Sequence, residues 1–335
     1  MQTFKSPPLF SQPGVKIVAA GSYVPEKVIT NAQLAQYGYD DDWILQRTGI
    51  ESRCHVGKDE ATSDMAYHAS KSCLERAACR PEEVDLILVA TLTGDHPTPA
   101  TACLLQDRLG SHAAALDVNA ACSGFMYGLI VGGQFVQNGV YKKVLVVGAE
   151  TMSSVVNPQE KKIYPLFGDG AGAVLLEGGK QEQGLLAATL GADGSGGELL
   201  CIPFGGSRTP INEKNVRERK HYISMDGKPV FKWAVRLIEE VSSQLLGHAN
   251  VKKEEVDLWL FHQANLRILN SAIEGYGLNA NKVFVNVEKY GNTSAASIPL
   301  VLADAFEAGK ITPGAKVVML GFGAGLTWGG ALVQF

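Results

Sequence analysis

The second half of this chain repeats the first half at an almost constant distance. The segment 81–90 reads PEEVDLILVA and returns at 253–262 as KEEVDLWLFH, and KVLVVG at 143–148 returns at 316–321 as KVVMLG. Matching positions lie 172 or 173 residues apart in a chain of 335 residues. An offset of half the chain indicates that one domain was duplicated, because a solenoid would repeat at a much shorter period.

The segments between the repeats predict the same kind of fold in each half. Continuous apolar runs that predict buried strands lie at 84–91, 144–148 and 171–176. Periodic segments that predict helices lie at 63–79 and 101–109. Alternating strands and helices indicate an α/β fold with a buried sheet, and we place its two copies at 14–180 and 181–335.

Two segments do not follow the repeat. Residues 1–13 contain three prolines and are predicted to form an N-terminal tail or an extra edge segment. Residues 191–228 are rich in glycine, proline and charge, which predicts an excursion from the sheet as a loop or a small cap. Connections of that length usually serve a function.

Cys122 is a candidate nucleophile. It follows a short strand-like run and precedes an apolar helix pattern, and no charged residue lies between Val118 and Tyr141. A helix without a polar face is buried on all sides. A thiol at the start of such a helix is expected to have a lowered pKa, because unpaired N–H groups and the helix dipole favour an anion. The residues alone leave two interpretations open, an activated nucleophile or a small core residue.

The repeat brings two further polar residues into the same region. A shift of 170 positions from Cys122 leads to Asn292, and both residues precede a helix pattern rich in small residues. His262 directly follows the repeated strand, where the first half has Ala90. Because α/β sites form at the C-terminal ends of strands, the three polar residues are candidates for one site. A structural histidine and an asparagine that caps its helix are the alternatives.

Composition argues against several classes of function. A net charge of −4 predicts no general affinity for nucleic acid. The six cysteines show neither a CxxC pair nor metal-ligand spacing, which predicts reduced thiols in the cytoplasm and no metal site. The first residues lack the apolar core of a signal peptide. The uncharged stretch 118–141 contains asparagine, glutamine and glycine, so we expect a buried helix and no membrane association.

Seven separated motifs resemble those of one enzyme family. They are GSYVP at 21–25, DWILQRTGI at 42–50, the Cys122 segment at 117–129, FGDGAG at 167–172, FHQANLR at 261–267, YGNTS at 290–294 and GFGAGLTWG at 321–329. From about Val15 to Phe335 the chain resembles β-ketoacyl-acyl-carrier-protein synthase III, a thiolase-fold condensing enzyme. The resemblance implies a duplicated, five-layered αβαβα fold, a homodimer and a Cys–His–Asn active site.

The resemblance also implies a role for each candidate. Cys122 would take the acyl group from an acyl-CoA primer, with the backbone N–H groups of Cys122 and Ala324 as the oxyanion hole. His262 and Asn292 would hold the thioester carbonyl of malonyl-acyl-carrier protein during decarboxylation, because an enolate needs hydrogen-bond donors. The carbanion would then attack the acyl-Cys122 thioester and yield a 3-oxoacyl-acyl-carrier protein, which initiates fatty acid synthesis. Neither a metal nor a cofactor is implied.

The same resemblance implies contacts with CoA. Trp43 and Arg47 would stack on the two faces of the adenine, and Asn265 would line the pantetheine tunnel. Lys161 stands where the family commonly has an arginine near the nucleotide. The positive charge remains, but the bidentate fork of arginine is lost. Core packing is the alternative for Trp43, and a solvated surface position is the alternative for Lys161.

Further residues would contact protein partners. Lys232, Arg236 and Arg267 are predicted to form a basic patch at the tunnel mouth, where an acidic carrier protein would dock. A solvated helix face is the alternative for the first two. Thr98, before Pro99, would reach into the acyl pocket of the partner subunit, where a bulky phenylalanine is a familiar choice in the family. The smaller threonine predicts that the enzyme accepts primers longer than acetyl.

Two other functions fit parts of this pattern. Relatives with the same three residues act as starter-unit condensing enzymes or acyltransferases of specialised, polyketide-type pathways. The intact His262 and Asn292 favour decarboxylative condensation over simple acyl transfer, but they are compatible with a pathway-specific role. A silent partner subunit of a condensing heterodimer should lack the nucleophile or its helpers, and all three are present here.

Overall fold

Two five-stranded sheets form the centre of the computed structural model, which describes residues 7–335. The strands are β1 (Phe10–Pro13), β2 (Val15–Tyr23), β3 (Val28–Thr30), β4 (Ser52–Cys54), β5 (Leu86–Ala90), β6 (Ala114–Val118), β7 (Lys143–Glu150), β8 (Gly170–Gly178), β9 (Gly184–Ala192), β10 (Leu200–Cys201), β11 (Ser224–Met225), β12 (Leu258–Phe261), β13 (Lys316–Gly323) and β14 (Thr327–Gln334). The α-helices are α1 (Asn31–Ala35), α2 (Asp41–Thr48), α3 (Thr62–Arg76), α4 (Thr101–Leu109), α5 (Gly124–Gln137), α6 (Glu213–Arg217), α7 (Gly227–Ala249), α8 (Leu266–Tyr276), α9 (Val287–Tyr290) and α10 (Ser297–Glu307).

The two sheets share a four-stranded core with the same topology. The order β2-β8-β7-β5 in the first sheet corresponds to β9-β14-β13-β12 in the second. In both cores the last two strands are parallel and the other neighbours are antiparallel. The sheets differ at their edges, where β6 joins the first sheet beside β5 and β1 joins the second beside β9. The sequence repeat therefore corresponds to a repeat in the backbone.

Helices cover both sheets and fill the space between them. Helices α3 and α4 pack on the outer face of the first sheet, and α7, with α8 against it, covers the second. The apolar helices α5 and α10 contact strands of both sheets. These layers are αβαβα, so the α/β class and the five-layered thiolase fold are confirmed.

The pleat of each strand divides its side chains between two cores. In β5, Leu86, Leu88 and Ala90 face the central core between the sheets, and Ile87 and Val89 face the outer core under α3. Alternate residues of a strand point to opposite faces, so a strand covered on both sides is apolar throughout. This double cover explains why the repeated strands have no polar alternation in the sequence.

The N-terminal segment includes an edge strand, which is one of the two alternatives that its sequence left open. Residues 1–6 lie outside the described residues, but Phe10–Pro13 form the edge strand β1 and pair antiparallel with β9. Gln12 is buried and donates from Nε2 to the carbonyl oxygen of Ile130, 2.8 Å away. The segment from Phe10 onward is therefore integrated into the sheet of the second half. The boundary between the halves at residue 180 stays a prediction.

The excursion predicted at 191–228 contains only short elements among the described residues. It holds the strand pair β10–β11, helix α6 and a 3-10 segment at Gly194–Leu199. Leu200 and Met225 pair in this hairpin. Both residues also line the cavity that is described below, so the excursion forms part of its wall.

No helix in the described part of the chain is long and apolar enough to cross a membrane.

Backbone segments of the two halves approach each other closely at Gly148 in β7. A side-chain carbon at this position would overlap the carbonyl oxygen of Ala295, just before α10. On the other side of α5, a side-chain carbon on Gly323 in β13 would lie 2.8 Å from the Cβ of Cys122. Glycine is required at both places because any larger residue would push the start of a central helix away from the strand.

We expect Gly148→Ala to destabilise the protein by about 1–3 kcal/mol, because the added methyl group has no free space. The matched control is Gly178→Ala at the end of β8, where no atom lies within 4 Å of the added carbon. Urea unfolding measures both variants. Equal stability of Gly148→Ala and the wild type would contradict the close approach.

Candidate active site

Cys122 lies in a tight turn between β6 and α5. A 3-10 turn covers Ala121–Ser123, and Ala121 has a φ of 47°, which is uncommon for a residue other than glycine. Ser123 Oγ lies 2.8 Å from the carbonyl oxygen of Ala120 and 2.8 Å from Thr327 Oγ1 of β14, and it hydrogen bonds with these two groups. The turn is thus held by the strand that follows the Gly321–Gly325 segment of the second half. Cys122 itself is 6% exposed.

His262 and Asn292 open into the same cavity as Cys122. This cavity has a volume of about 620 Å³, and all three residues line it. His262 follows β12 of the second sheet, while Cys122 follows β6 of the first sheet. Each sheet therefore contributes one of these residues to the cavity. The structure therefore brings together the three residues that the sequence pattern singled out.

The imidazole of His262 is neutral at physiological pH. The side chain is 1% exposed, and its ring meets the ring of Phe322 edge-on at a centroid distance of 5.2 Å. Among the described residues, Nδ1 has no hydrogen-bond partner. Burial without a counter-charge lowers the pKa of His262 to about 3. A neutral imidazole can offer one N–H donor to a bound group.

The amide of Asn292 is held in one orientation. Its Oδ1 accepts a hydrogen bond from the backbone N–H of Ser294 at 2.9 Å, which leaves the Nδ2 hydrogens for the cavity. Its own backbone N–H donates to the carbonyl oxygen of Leu166 at 2.8 Å, and it forms a β-bridge with Phe167. The N-cap residues are Thr293 for the 3-10 turn Ser294–Ala296 and Ala296 for α10, so Asn292 is not the helix cap that the structural alternative predicted. Its hydrogen bond to Ser294 instead orients the amide, which presents two donor hydrogens to the cavity.

The predicted lowering of the Cys122 pKa is wrong for the structure. Burial raises the pKa of this thiol to about 12, the charge of Glu150 raises it further, and hydrogen bonds from Ser294 and the Cys122 backbone oppose the rise. The sequence argument weighed the helix start but not the loss of water, which disfavours any buried anion. Cys122 is therefore a protonated thiol before substrate binds.

Sequence reasoning missed Glu150, which ends β7 and is completely buried. Its carboxylate accepts hydrogen bonds from the hydroxyls of Thr91, Thr93 and Ser294 and from the backbone N–H groups of Leu92 and Thr93. Burial raises the pKa of Glu150 to about 7, and these hydrogen bonds oppose the rise. One signal was present, because Glu150 is the single charged residue at the end of the apolar run 144–149.

The cavity of about 620 Å³ also reaches the predicted CoA residues Trp43, Arg47 and Asn265. Asn265 donates from Nδ2 to the carbonyl oxygen of Arg47 at 3.2 Å and caps α8 through Oδ1. Lys161 is not among the lining residues, and its Nζ donates to the carbonyl oxygen of Gly38 at 2.6 Å. The neighbouring Lys162 lines the cavity in its place.

The three predicted docking residues occupy different positions. Arg267 lines the cavity and places its guanidinium 5.8 Å from the ring centre of Phe231. Lys232 is exposed on α7, and Arg236 forms a salt bridge with Glu240 one turn further along the same helix. Neither Lys232 nor Arg236 belongs to the cavity lining.

A second, apolar cavity of about 250 Å³ also ends at Cys122. Its walls are largely aliphatic, with Leu92, Met152, Ile202 and Ile223 among the lining residues. Ala324, the other predicted oxyanion residue, lines it as well. Thr98 is exposed in the described chain and lies outside both linings. The thiol of Cys122 thus lies where the larger cavity of about 620 Å³ and the smaller apolar cavity meet.

Comparisons with known proteins agree on one family. A family model of 3-oxoacyl-[acyl-carrier-protein (ACP)] synthase III matches residues 116–194, and the model of its C-terminal part matches 246–335. A beta-ketoacyl-[acyl-carrier-protein] synthase III of Rhodopirellula baltica is 51% identical over 96% of this chain and 99% of its own.

Solved structures are similar over the same length. A 3-oxoacyl-[acyl-carrier-protein] synthase III from Aquifex aeolicus has a TM-score of 0.89 and 42% identity, covering 96% of this chain and all of its own. The priming beta-ketosynthase of the R1128 polyketide pathway also has a TM-score of 0.89, with 31% identity over 100% of this chain and 99% of its own.

The buried His262 predicts that folding stability falls on acidification. Its folded-state pKa lies below the ordinary value, so between about pH 6.5 and 3 the unfolded chain binds a proton that the folded chain does not. As the pH falls through that window, this residue alone should lower the free energy of unfolding by up to about 1.4 kcal/mol per pH unit. We expect His262→Asn to reduce the pH slope in urea unfolding at pH 7, 6 and 5. The exposed His112→Asn is the control, and identical slopes for the two variants would refute the assignment.

Proposed function

The chain belongs to the 3-oxoacyl-acyl-carrier-protein synthase III family, and we propose that Cys122, His262 and Asn292 carry out the family's reaction in it. The protein is an acyl-transferring condensing enzyme that joins an acyl-CoA primer to malonyl-acyl-carrier protein and so initiates fatty acid synthesis. The observation that carries the residue assignment is the meeting of all three side chains in one cavity.

Cys122 accepts the primer in the first step. Its sulfur attacks the thioester carbonyl of acyl-CoA and gives up its proton, a new C–S bond forms, the bond to the CoA sulfur breaks, and the CoA thiolate takes up a proton. The backbone N–H groups of Cys122 and Ala324 stabilise the negative oxygen of the tetrahedral intermediate. The apolar cavity of about 250 Å³ behind the sulfur fits the acyl chain.

His262 and Asn292 act in the second step. The neutral imidazole and the oriented amide donate to the thioester carbonyl oxygen of the malonyl group, where negative charge develops as carbon dioxide leaves. The enolate carbon attacks the acyl-Cys122 carbonyl, a C–C bond forms, and the cysteine sulfur is released. Protein groups supply every donor in this scheme, and we propose that the enzyme uses neither a cofactor nor a metal.

The cavity of about 620 Å³ is the proposed path for the pantetheine arm that both substrates share. Asn265 lines it, and Trp43 and Arg47 at its rim would hold the CoA adenine. For Lys161 the nucleotide contact stays a prediction, because its amine already binds Gly38. We propose that Arg267 contacts the acidic carrier protein at the mouth, with Lys232 and Arg236 further out on α7.

We propose that the enzyme acts as a homodimer in the cytoplasm. Strand β6 pairs with β5 along one edge only, and Leu116 in its centre is 42% exposed. An unpaired edge with an apolar side chain favours pairing with a second strand. Thr98 precedes α4, which packs on β6, so a dimer across this edge would bring Thr98 toward the partner subunit. Substrates of the proposed reaction, acyl-CoA and carrier protein, are consistent with the cytoplasm.

A starter enzyme of a polyketide-type pathway is a second candidate function, and it is supported by a relative of lower sequence identity. The R1128 priming ketosynthase is 31% identical to this chain, whereas the Rhodopirellula baltica enzyme is 51% identical. Identity therefore favours the fatty acid reaction.

Variants of the three residues separate the two steps. Incubation with acyl-CoA should add the acyl mass to the wild type and to Cys103→Ala, but not to Cys122→Ala. We expect His262→Ala and Asn292→Ala to form the adduct and to lose condensation by about 100-fold or more, because each lacks one enolate donor. Intact-mass spectrometry and a product assay with malonyl-carrier protein measure both effects. Condensation by Cys122→Ala would overturn the mechanism.

Primer choice tests the role of Thr98. We expect the wild type to use butyryl- to octanoyl-CoA, and Thr98→Phe to shift kcat/KM toward acetyl-CoA by about tenfold or more, because the larger ring would fill the pocket. Thr312→Phe is the matched control, since Thr312 is also exposed and also precedes a proline. Rejection of the longer primers by the wild type, or an unchanged preference in Thr98→Phe, would exclude this role.

A further inference from the structure

Asn292 lacks the strand support that Cys122 has. In the first half, β6 pairs with β5 over five residues and leads directly to the Cys122 turn. In the second half, the segment beside β12 forms an isolated β-bridge between Val283 and Trp259 and then leaves the sheet. The position of Asn292 relative to β12 therefore depends on contacts other than a strand ladder.

Gln263, which directly follows His262, supplies such contacts through its side chain. The residue is 1% exposed. Its Oε1 accepts hydrogen bonds from the backbone N–H groups of Asn286 and Val287, at 3.0 and 3.2 Å, where α9 begins. Its Nε2 donates to the carbonyl oxygen of Phe261 at 2.8 Å. Because the donors and the carbonyl face opposite ends of the amide, only one orientation of the amide satisfies all three contacts.

The backbone of Gln263 holds the far end of the same segment. Its N–H donates at 2.7 Å to the Oγ of Ser297, the first residue of α10. The segment 286–297 is thus fastened at both ends to the residue next to His262, and Asn292 lies in its middle. One turn of helix, α9, fills most of the part before Asn292 and leaves it little slack.

We propose that Gln263 is a positioning residue that sets the distance between His262 and Asn292, the two donors to the enolate oxygen. It is not among the residues that line either cavity, so it acts through its neighbours. Both donors must lie within hydrogen-bond distance of one oxygen, and a misplacement of about 1 Å can cost about 100-fold in rate. This inference rests on the proposed roles of His262 and Asn292 and adds the residue that aligns them.

The two half-reactions should depend on Gln263 differently. The Cys122 turn is fastened to β14 by hydrogen bonds to the Thr327 hydroxyl, and Gln263 makes none of them. Asn265, on the path of the pantetheine arm, is held by its own bond to the carbonyl oxygen of Arg47. Loss of the Gln263 amide should therefore slow decarboxylation and leave acyl transfer and substrate entry nearly unchanged.

A role in stability alone is the competing explanation. The N–H of Asn292 donates to the carbonyl oxygen of Leu166 at 2.8 Å, and its carbonyl oxygen accepts from Gly168 at 3.1 Å. These bonds tie the asparagine to the first half but do not connect it to β12. If they alone set its position, loss of the Gln263 amide would lower the Tm and would not single out decarboxylation.

The experiment measures the two half-reactions separately. Rapid quenching and mass spectrometry give the rate of Cys122 acylation by acyl-CoA, and carbon dioxide release from malonyl-carrier protein gives kcat and KM of decarboxylation. Gln263→Met keeps the length of the side chain and removes both its donor and its acceptor. Ser297→Ala removes only the bond to the Gln263 backbone. The matched control is Gln12→Met, at another completely buried glutamine, whose Nε2 donates to Ile130.

We expect Gln263→Met to lower kcat of decarboxylation by about 100-fold, with KM and the acylation rate within about threefold of the wild type. Ser297→Ala should lower the same kcat by about tenfold, since the bonds from Gln263 to α9 remain. Gln12→Met should keep both half-reactions within about threefold even where its Tm falls, because it lies on the edge strand β1.

A double variant tests whether Gln263 acts by alignment. In the Asn292→Ala background, we expect Gln263→Met to lower decarboxylation by a further threefold or less, roughly, because with one donor absent there is no spacing left to set. A residue that only stabilises the fold should show the same loss in both backgrounds.

Three results would overturn the proposal. They are wild-type decarboxylation by folded Gln263→Met, an equal loss of both half-reactions in it, and an undiminished loss in the Asn292→Ala background. If Gln263→Met does not fold, Ser297→Ala decides: a loss confined to decarboxylation supports the alignment, and wild-type rates or an equal loss of both half-reactions refute it. If His262→Ala and Asn292→Ala decarboxylate like the wild type, the proposed function itself fails.

Discussion

Close contact between backbone segments of the two halves is the constraint on which the site depends. At Gly148 the carbonyl oxygen of Ala295 occupies the space of a side chain, and at Gly323 the Cys122 turn does the same. Without these two glycines, the starts of α5 and α10 would each move away from the sheets. The active-site turns therefore depend on these glycines, because a turn from one half can approach a strand of the other half this closely only at a residue without a side chain.

Burial of these turns then decides the protonation state of each group. Removal of water disfavours every isolated charge, so Cys122 is a thiol and His262 is a neutral imidazole. The pKa of Glu150 rises only to about 7, because five hydrogen-bond donors surround the carboxylate and stabilise its charged form. The helix dipole that suggested an activated thiolate is the weaker effect in this environment. A neutral histidine suits the donation of a hydrogen bond to an enolate.

Much of this could be predicted from the sequence. The offset of about 172 residues predicted a duplicated α/β fold, and the motifs indicated a thiolase-fold condensing enzyme; both the fold and the family are confirmed. Cys122 and His262 were selected because each follows a strand-like segment, and Asn292 because the repeat aligns it with Cys122. The structure places all three in one cavity. Glu150 escaped notice, since its partners Thr91 and Ser294 are far from it along the chain. Lys161 was predicted to contact the nucleotide because the family commonly has an arginine at this position. In the structure its amine instead donates to the carbonyl oxygen of Gly38.

The sequence by itself determined the duplicated architecture, the buried strands and the identity of the polar residues at their ends, because periodicity and repeats are properties of neighbours along the chain. Only the tertiary structure decided which of these residues meet, how deeply they are buried and therefore which protons they hold. Edge strand β1 shows the same division, since a proline-containing segment becomes part of a sheet only once β9 offers it a partner. Desolvation and contact depend on three-dimensional neighbours, and no local pattern in the chain specifies them.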